Sequence, residues 1–226
     1  MGWLLCGLGR ASELRPFIGQ INREAAVVGP DGLAGIAVLQ PPDVPNTPPD
    51  PQYLLTIHRW IQTMHAHCDV VPVRYGAVFT SSERLTQYLI RHQDQHQAVL
   101  ERIAGCTELG VRLLLVPRAL SSKQPSDPSG SGLAYLLDRK RYYGLENQQR
   151  AIHCMRAVLD ATHNLVRAHQ PIRSGADATF QSAVLVPKPH AERFRALASA
   201  CLTGHSAIAS GAITGPWAPY SFAALS

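Results

Sequence analysis

The sequence lacks the long apolar runs and paired cysteines that mark membrane proteins and disulfide-stabilised proteins. No stretch of about 18 consecutive apolar residues occurs, so the sequence predicts no membrane-spanning helix and no lipid partner. The five cysteines are odd in number, widely spaced and without a CxxC pair, which excludes a disulfide framework and a zinc knuckle. They are Cys6, Cys68, Cys106, Cys154 and Cys201. We expect them to be small buried side chains in a reducing compartment, the cytoplasm.

Charged residues are also few. They make up 16% of the chain, against 46% hydrophobic residues, so the chain can bury a core and global disorder is excluded. The net charge of +5 comes from dispersed arginines rather than from a cluster, which is a weak signal for nucleic acid. The composition therefore predicts a folded protein without a nucleic-acid partner.

Motifs for catalysis and cofactor binding are missing as well. The chain contains no GxSxG elbow and no glycine-rich loop of Walker or Rossmann spacing. Residues 129–132 read Ser-Gly-Ser-Gly but lack a following lysine, which favours a flexible loop. His92 and His96 have the spacing of a two-histidine metal clamp, but we expect no third ligand on that helix face. The sequence thus predicts no catalytic residue, no metal and no cofactor.

The first half of the chain has the pattern of a small α+β domain. Residues 3–8 predict a strand, and Ser12 is a suitable N-cap for a helix that reaches residue 21. Pro30-Asp31-Gly32 predicts the turn of a hairpin between two apolar runs. Apolar residues at helical spacing predict a helix over 51–67, and a strand follows at 70–74. The order β-α-β-β-α-β is that of a ferredoxin-like fold.

The second half repeats this logic after a helical connection. Thr80 and Glu83 predict a capping box for that connection, and a break is expected near 92–97. Further strands and helices are expected at 111–116, 133–168, 180–186, 190–201 and 207–213. A flexible loop is expected at 119–131.

The fold class is therefore α+β, with two domains that each consist of a small sheet with helices, the second being ferredoxin-like. The predicted limits are 1–80 for the N-terminal domain, 81–105 for the connecting helix or helices, and 106–226 for the C-terminal domain with its tail, residues 214–226.

The start of this tail is the most unusual segment. Thr214-Gly-Pro-Trp-Ala-Pro-Tyr-Ser-Phe222 is stiff and offers a large apolar area. It is either a latch across its own domain, with Trp217 and Phe222 buried, or a contact with another protein. A second concentrated segment runs from Val71 to Phe79, where Arg74 either caps carbonyls within its own lobe or pairs with an acidic partner.

These segments resemble the gas vesicle protein F/L family. Val71-Pro-Val-Arg-Tyr-Gly-Ala-Val-Phe79 resembles its L-P-x-R-F-G-T-V-F stretch, and the tail looks like its closing G-P-W-P-P-Y-S-F signature. Residues 106–112 and 132–140 are similar to its G-x-x-E-x-G-V-K and G-x-x-Y-L-x-x-K segments. The resemblance covers essentially the whole chain. Departures such as Ala218 for proline are conservative and leave the choice between the F and L branches open. We expect the F branch from the resemblance as a whole.

The resemblance implies a minor structural or assembly protein of gas vesicles, located inside the cell and without enzymatic activity. Such a protein would bind the small hydrophobic shell protein and other assembly proteins, and would nucleate, chaperone or line the shell. We expect the contact region to include Arg74, Tyr75, Phe79, Trp217, Tyr220 and Phe222.

Two other functions make different predictions. A small-molecule enzyme would need convergent polar groups in a cleft between the two domains, and no such set is evident in the sequence. A basic nucleic-acid module would need a continuous arginine and lysine face, and its binding would depend steeply on salt.

Overall fold

The computed structural model describes residues 2–21, 25–40, 50–116, 132–174 and 179–223. Its strands are β1 (Gly2–Arg10), β2 (Ala25–Val28), β3 (Leu33–Gln40), β4 (Val71–Pro72), β5 (Val78–Phe79), β6 (Cys106–Leu115), β7 (Ala168–His169), β8 (Arg173–Ser174), β9 (Thr179–Pro187) and β10 (Ala209–Trp217). Its helices are α1 (Ala11–Ile21), α2 (Pro51–His67), α3 (Ser82–Arg91), α4 (Gln93–Ile103), α5 (Gly132–Ala161) and α6 (Ala191–Gly204). The chain forms two compact units, residues 1–108 with 216–226, and residues 109–215.

The first unit is built around β1, which is the central strand of an antiparallel sheet. The strand order is β2-β3-β1-β4, and β5 also pairs with β1. Because α1 links β1 to β2 and α2 links β3 to β4, this is the ferredoxin-like arrangement predicted for the first half. The predicted hairpin is confirmed, since β2 and β3 pair antiparallel on either side of residues 29–32.

Helix α2 begins and packs as its sequence predicts. The Asp50 side chain accepts a hydrogen bond from the backbone N–H of Gln52 at 3.0 Å, and Pro51 occupies the first turn. Ile57, Ile61 and Met64, spaced three or four residues apart, are buried in the core of the first unit.

The helical connection differs from the prediction at its start. Ser81, rather than Thr80, is the N-cap of α3, and its hydroxyl accepts from the backbone N–H of Arg84 at 3.3 Å. The predicted Thr80–Glu83 capping box is therefore wrong, because the residue three positions after the Ser81 cap is Arg84 rather than a glutamate or glutamine. The predicted break is confirmed, because α3 ends at Arg91 and α4 begins at Gln93, with His92 between them.

The second unit has the same topology in different elements. Its strand order is β10-β6-β9-β7, and β8 also pairs with β9. Helix α5 connects β6 toward β7, and α6 connects β9 to β10, so the ferredoxin-like order recurs. Helix α5 ends at Ala161, seven residues before the predicted limit of 168, because a 3-10 turn follows at His163–Leu165. The predicted loop at 119–131 lies outside the described residues.

The units divide the chain differently from the predicted domains. Residues 81–105 and the tail from residue 216 group with residues 1–80 rather than standing apart or joining the second unit. One local reason is a hydrogen bond of 2.9 Å from the backbone N–H of Gly105 to the side chain of Asp69. It joins the end of the helical connection to the loop between α2 and β4.

Candidate protein-contact surface

The main chain of the tail makes hydrogen bonds with side chains from other parts of the first unit. The Thr107 hydroxyl donates to the carbonyl of Trp217 at 2.9 Å, where β10 ends. One residue later, the backbone N–H of Ala218 donates to the side-chain carbonyl of Gln62 at 3.1 Å. Both bonds hold the peptide that follows Trp217, and on its other side Trp217 is the last residue of β10, which pairs with β6.

The same pattern continues to the last described turn. Ser221 donates twice to the buried carboxylate of Glu108, from its backbone N–H and from its hydroxyl, each at 2.8 Å. The Arg102 guanidinium donates to the carbonyl of Phe222 at 2.6 Å. Burial raises the pKa of Glu108 above its usual value, and the two hydrogen bonds from Ser221 act in the opposite direction.

The apolar side chains of the tail pack onto the core of the first unit. Ala218 is fully buried in the cluster that contains Cys6 and Ile61, and Phe222 is 5% exposed. Tyr220 is partly buried against the same cluster; burial, followed by the nearby Cys6 thiol, raises its pKa to about 12. The tail is thus an intramolecular latch in this unit, worth about 1.5–3 kcal/mol for the burial of Phe222 alone.

Trp217 departs from the expectation of a fully buried latch. The residue is 41% exposed, although the peptide that follows it is held by Thr107 and Gln62. The Trp217 ring lies 5.8 Å from the His58 ring, and His58 lies 5.7 Å from the Tyr220 ring, centroid to centroid. Leu55, one helical turn before His58, is 49% exposed. We call Leu55, His58 and Trp217 the Trp217 patch.

The other predicted contact residues lie in different surroundings. Tyr75 is partly buried and packs edge-on against Tyr53, with ring centroids 6.4 Å apart. Phe79, in β5, packs against Tyr88 at 5.1 Å. Arg74 is exposed. The structure therefore brings Trp217 and Tyr220 together through His58, and gives Tyr75 and Phe79 separate aromatic partners.

Sequence reasoning missed Leu55 and His58. Both lie on α2, in a stripe at 55, 58 and 62 that runs beside the core stripe at 57, 61 and 64. This second stripe has the same helical spacing and supplies both the exposed leucine and the Gln62 side chain that holds Ala218. A search for a second apolar or polar stripe beside the core face could have found it.

The histidines and cysteines are the residues with metal-binding or nucleophilic potential. The described residues contain no group of three or more His, Cys, Asp and Glu side chains placed to hold a metal. His92 and His96 do face each other, with ring centroids 6.3 Å apart. His205 donates from Nδ1 to the carbonyl of Cys201 at 2.8 Å, and burial raises the pKa of the Cys201 thiol, the opposite of an activated nucleophile.

Helices that could cross a bilayer are likewise not found in the part of the chain that the structure describes; none combines the required length with the required apolar character.

The fold is shared with two solved gas vesicle proteins. The crystal structure of the gas vesicle protein GvpF from an Anabaena species matches with a TM-score of 0.73 and 15% identity, covering 100% of this chain and 99% of that one. GvpF from Microcystis aeruginosa matches with a TM-score of 0.72 and 15% identity, covering 99% of both chains. No curated protein matches the chain in sequence.

The sequence itself carries the family assignment. The model of the family described as "Gas vesicle synthesis protein GvpL/GvpF" matches residues 9–224, which include residues 214–224 of the tail and every residue of the Trp217 patch. The chain belongs to the gas vesicle synthesis protein GvpL/GvpF family, and its role lies in gas vesicles.

Proposed function

We propose that the chain binds the hydrophobic shell protein of the gas vesicle through the Trp217 patch, and in this way helps to nucleate, chaperone or line the shell. The observation that carries the proposal is a large aromatic residue left 41% exposed at the end of β10, on a main chain that is held by strand pairing before it and by Thr107 and Gln62 after it. Membership of a gas vesicle synthesis family supports a partner from the same assembly. The other predicted contact residues have supporting roles in this proposed contact.

The physical case rests on the small entropic cost of ordering this surface. Binding sites lose affinity when flexible segments must become ordered on contact. Here Thr107 and Gln62 already hold the main chain around Trp217, and His58 packs against its ring. Tryptophan is the residue type most often found to dominate an interface, with contributions of about 2 kcal/mol or more on truncation.

The predicted contact residues have different roles under this proposal. Trp217 meets the partner directly, while Tyr220 and Phe222 hold the tail in place from the core side. Arg74 is exposed and available to an acidic group of a partner at the edge of the contact. Tyr75 and Phe79 are each partly buried against an aromatic partner of their own, and we assign them a secondary apolar contribution.

The test is a pull-down of the shell protein by the tagged full-length chain, comparing Trp217→Ala with Leu197→Ala. Leu197 is 39% exposed and lies on α6 in the second unit, so its substitution removes a comparably exposed apolar side chain. We expect Trp217→Ala to weaken binding at least about tenfold, which corresponds to ~1.4 kcal/mol, and Leu197→Ala to bind like the unchanged chain.

The fold of the variant is checked separately by circular dichroism and thermal unfolding. The hydrogen bonds that hold the tail use the main chain of Trp217, so they survive the substitution. If both variants bind alike, the Trp217 patch is not the contact. Washing purified vesicles and assaying whether the chain remains then distinguishes a lining role from a transient assembly role.

A further inference from the structure

The second unit carries an open groove that the proposed shell contact does not use. It has a volume of about 610 Å³ and lies between the second half of α5 and the extended segment 166–172. Ile152, Met155 and Leu159 line it from the helix, and Val166 and Ile172 line it from the opposite side. All of these residues belong to the second unit, so the groove is formed by that unit alone.

The helix wall of the groove has a regular spacing of apolar residues. On the helix, Ile152, Met155 and Leu159 recur at i, i+3 and i+7, the spacing with which one helix meets another. On the other wall, all seven residues of the segment 166–172 line the groove, and this segment contains β7, the edge strand of the sheet. Ile152 is 42% exposed, which is unusual for a residue in an apolar stripe that continues into the core.

The length of the helix wall corresponds to two helical turns. Seven residues at 1.5 Å each give a stripe of about 10 Å, which matches the contact length of a short docked helix. A compact small molecule would require an enclosed pocket with convergent polar groups, whereas this groove is open along one side and mainly apolar.

The charged residues that line the groove favour one charge type of partner helix over the other. Arg156 and Arg167 line it, together with His163 and His169, and Asp160 is its one acidic residue among the described lining groups. The lining residues thus include two arginines against one aspartate. A partner with carboxylates beside its apolar residues is therefore favoured over one with lysines.

We propose that this groove binds an acidic amphipathic helix from another polypeptide. Its apolar residues, spaced three or four apart, would pack between the α5 stripe and the 166–172 wall. Its flanking glutamates or aspartates would lie over Arg156 and Arg167. This is the helix-in-groove mode of recognition, in which apolar anchors supply affinity and the charged rim sets orientation. The proposal does not depend on the shell contact of the first unit.

The probe is a designed, fluorescein-labelled helical peptide of about 18 residues with leucines at i, i+3, i+4 and i+7 and glutamates at the flanking positions. A second peptide has lysine in place of every glutamate. Fluorescence anisotropy with the full-length chain measures both affinities. We expect the glutamate peptide to bind at least about tenfold more tightly than the lysine peptide, with the difference shrinking as salt is raised.

Variants of the chain locate the binding. Ile152→Glu places a negative charge, like those of the peptide, on the apolar helix wall, and Arg156→Glu reverses a positive charge at the rim. Each substitution is expected to weaken binding of the glutamate peptide at least about tenfold. The matched control is Leu145→Glu, because Leu145 lies on the same helix, is 59% exposed and is outside the groove. This control is expected to stay within about twofold of the unchanged chain, as like-charge effects over a distance are screened.

Three results would overturn the proposal. One is the absence of saturable binding by the glutamate peptide at concentrations up to about 1 mM, a free energy near −4 kcal/mol. Another is equal loss of binding in Ile152→Glu and Leu145→Glu. The third is binding of phosphatidylglycerol vesicles that Ile152→Glu abolishes while the peptide fails to bind, which would make the groove a lipid site.

Discussion

Ser221 donates hydrogen bonds to both oxygens of the Glu108 carboxylate, from its backbone N–H to Oε2 and from its hydroxyl to Oε1, each at 2.8 Å. The two residues are 113 positions apart in the sequence and belong to the same unit. Because Glu108 is buried, its charge relies on these donors in place of water. The pair therefore couples the closing turn of the tail to the first residues of β6.

Replacing the Ser221 hydroxyl should destabilise the first unit. Ser221→Ala removes one donor from a buried carboxylate, and we expect a loss of about 1–3 kcal/mol in the free energy of unfolding, measured by urea denaturation. Ser206→Ala serves as the control, because Ser206 lies in an exposed turn after α6. Equal effects of the two substitutions would mean that the hydroxyl contact contributes nothing to stability.

Replacing the charge of Glu108 should have an effect that depends on pH. Burial raises the folded-state pKa of Glu108 above 4.5, so its protonation stabilises the folded state. That contribution is fully present below the unfolded value of 4.5 and is lost as pH rises through the raised folded pKa. The glutamine of the Glu108→Gln variant does not titrate, so the stability of the variant does not fall in this way as pH rises.

We therefore expect the unfolding free energy of Glu108→Gln, relative to the unchanged chain, to increase as pH rises from about 4.5 to neutrality. Urea unfolding at a series of pH values measures the difference. A relative stability that stays constant or falls over this range would contradict the raised pKa.

Much of the fold could be predicted from local sequence signals. Asp50 and Pro51 mark the start of α2, and the turn residues 30–32 mark the β2–β3 hairpin, because capping and turn formation depend on residues close in sequence. The α3 cap was displaced by one residue because Thr80 and Ser81 are both suitable caps and only the backbone path selects between them.

The candidate site could be predicted only in part. The tail was identified by its composition, but its exposed and buried faces depend on contacts with distant residues such as Glu108 and Gln62. Those contacts leave no spacing pattern in the sequence, since they join segments more than 100 positions apart. The same reason explains why the tail groups with the first unit rather than with the domain that precedes it in sequence.

The buried His96 should make the first unit sensitive to acid. Its side chain is 3% exposed, neither ring nitrogen has a hydrogen-bond partner among the described residues, and it packs against Tyr88 and His92. Burial, and secondly the charge of His92, lowers the pKa of His96 below 6.5. A base with a lowered folded pKa contributes stability above the unfolded value, and this is lost as pH falls through the folded pKa.

We expect His96→Leu to hold its unfolding free energy better than the unchanged chain as pH falls below 6.5, since leucine fills the site without titrating. Unfolding by urea at a series of pH values checks the prediction. His190→Leu is the control, because His190 is exposed. A pH dependence of His96→Leu that matches that of the unchanged chain would assign the acid sensitivity to other groups.

Two glycines should respond to alanine in opposite directions. A Cβ at Gly9, in the central strand β1, would lie 2.9 Å from the backbone oxygen of Asp69, so either strand or loop must shift. We expect Gly9→Ala to cost about 1–3 kcal/mol. Gly144 lies within the continuous helix α5, and a Cβ there meets no atom within 4 Å. Gly144→Ala should therefore stabilise the second unit by about 0.5–1 kcal/mol, because alanine loses less backbone entropy in a helix.

The free energies of unfolding of the two variants and of the unchanged chain are measured by urea denaturation. Helix α5 runs unbroken from Gly132 to Ala161. A stabilised Gly144→Ala variant fits an intact helix in solution, since the gain requires residue 144 to be helical in the folded state. A neutral or destabilising result would mean that the helix is interrupted there, and a tolerated Gly9→Ala would mean that β1 and the loop at Asp69 can separate without cost.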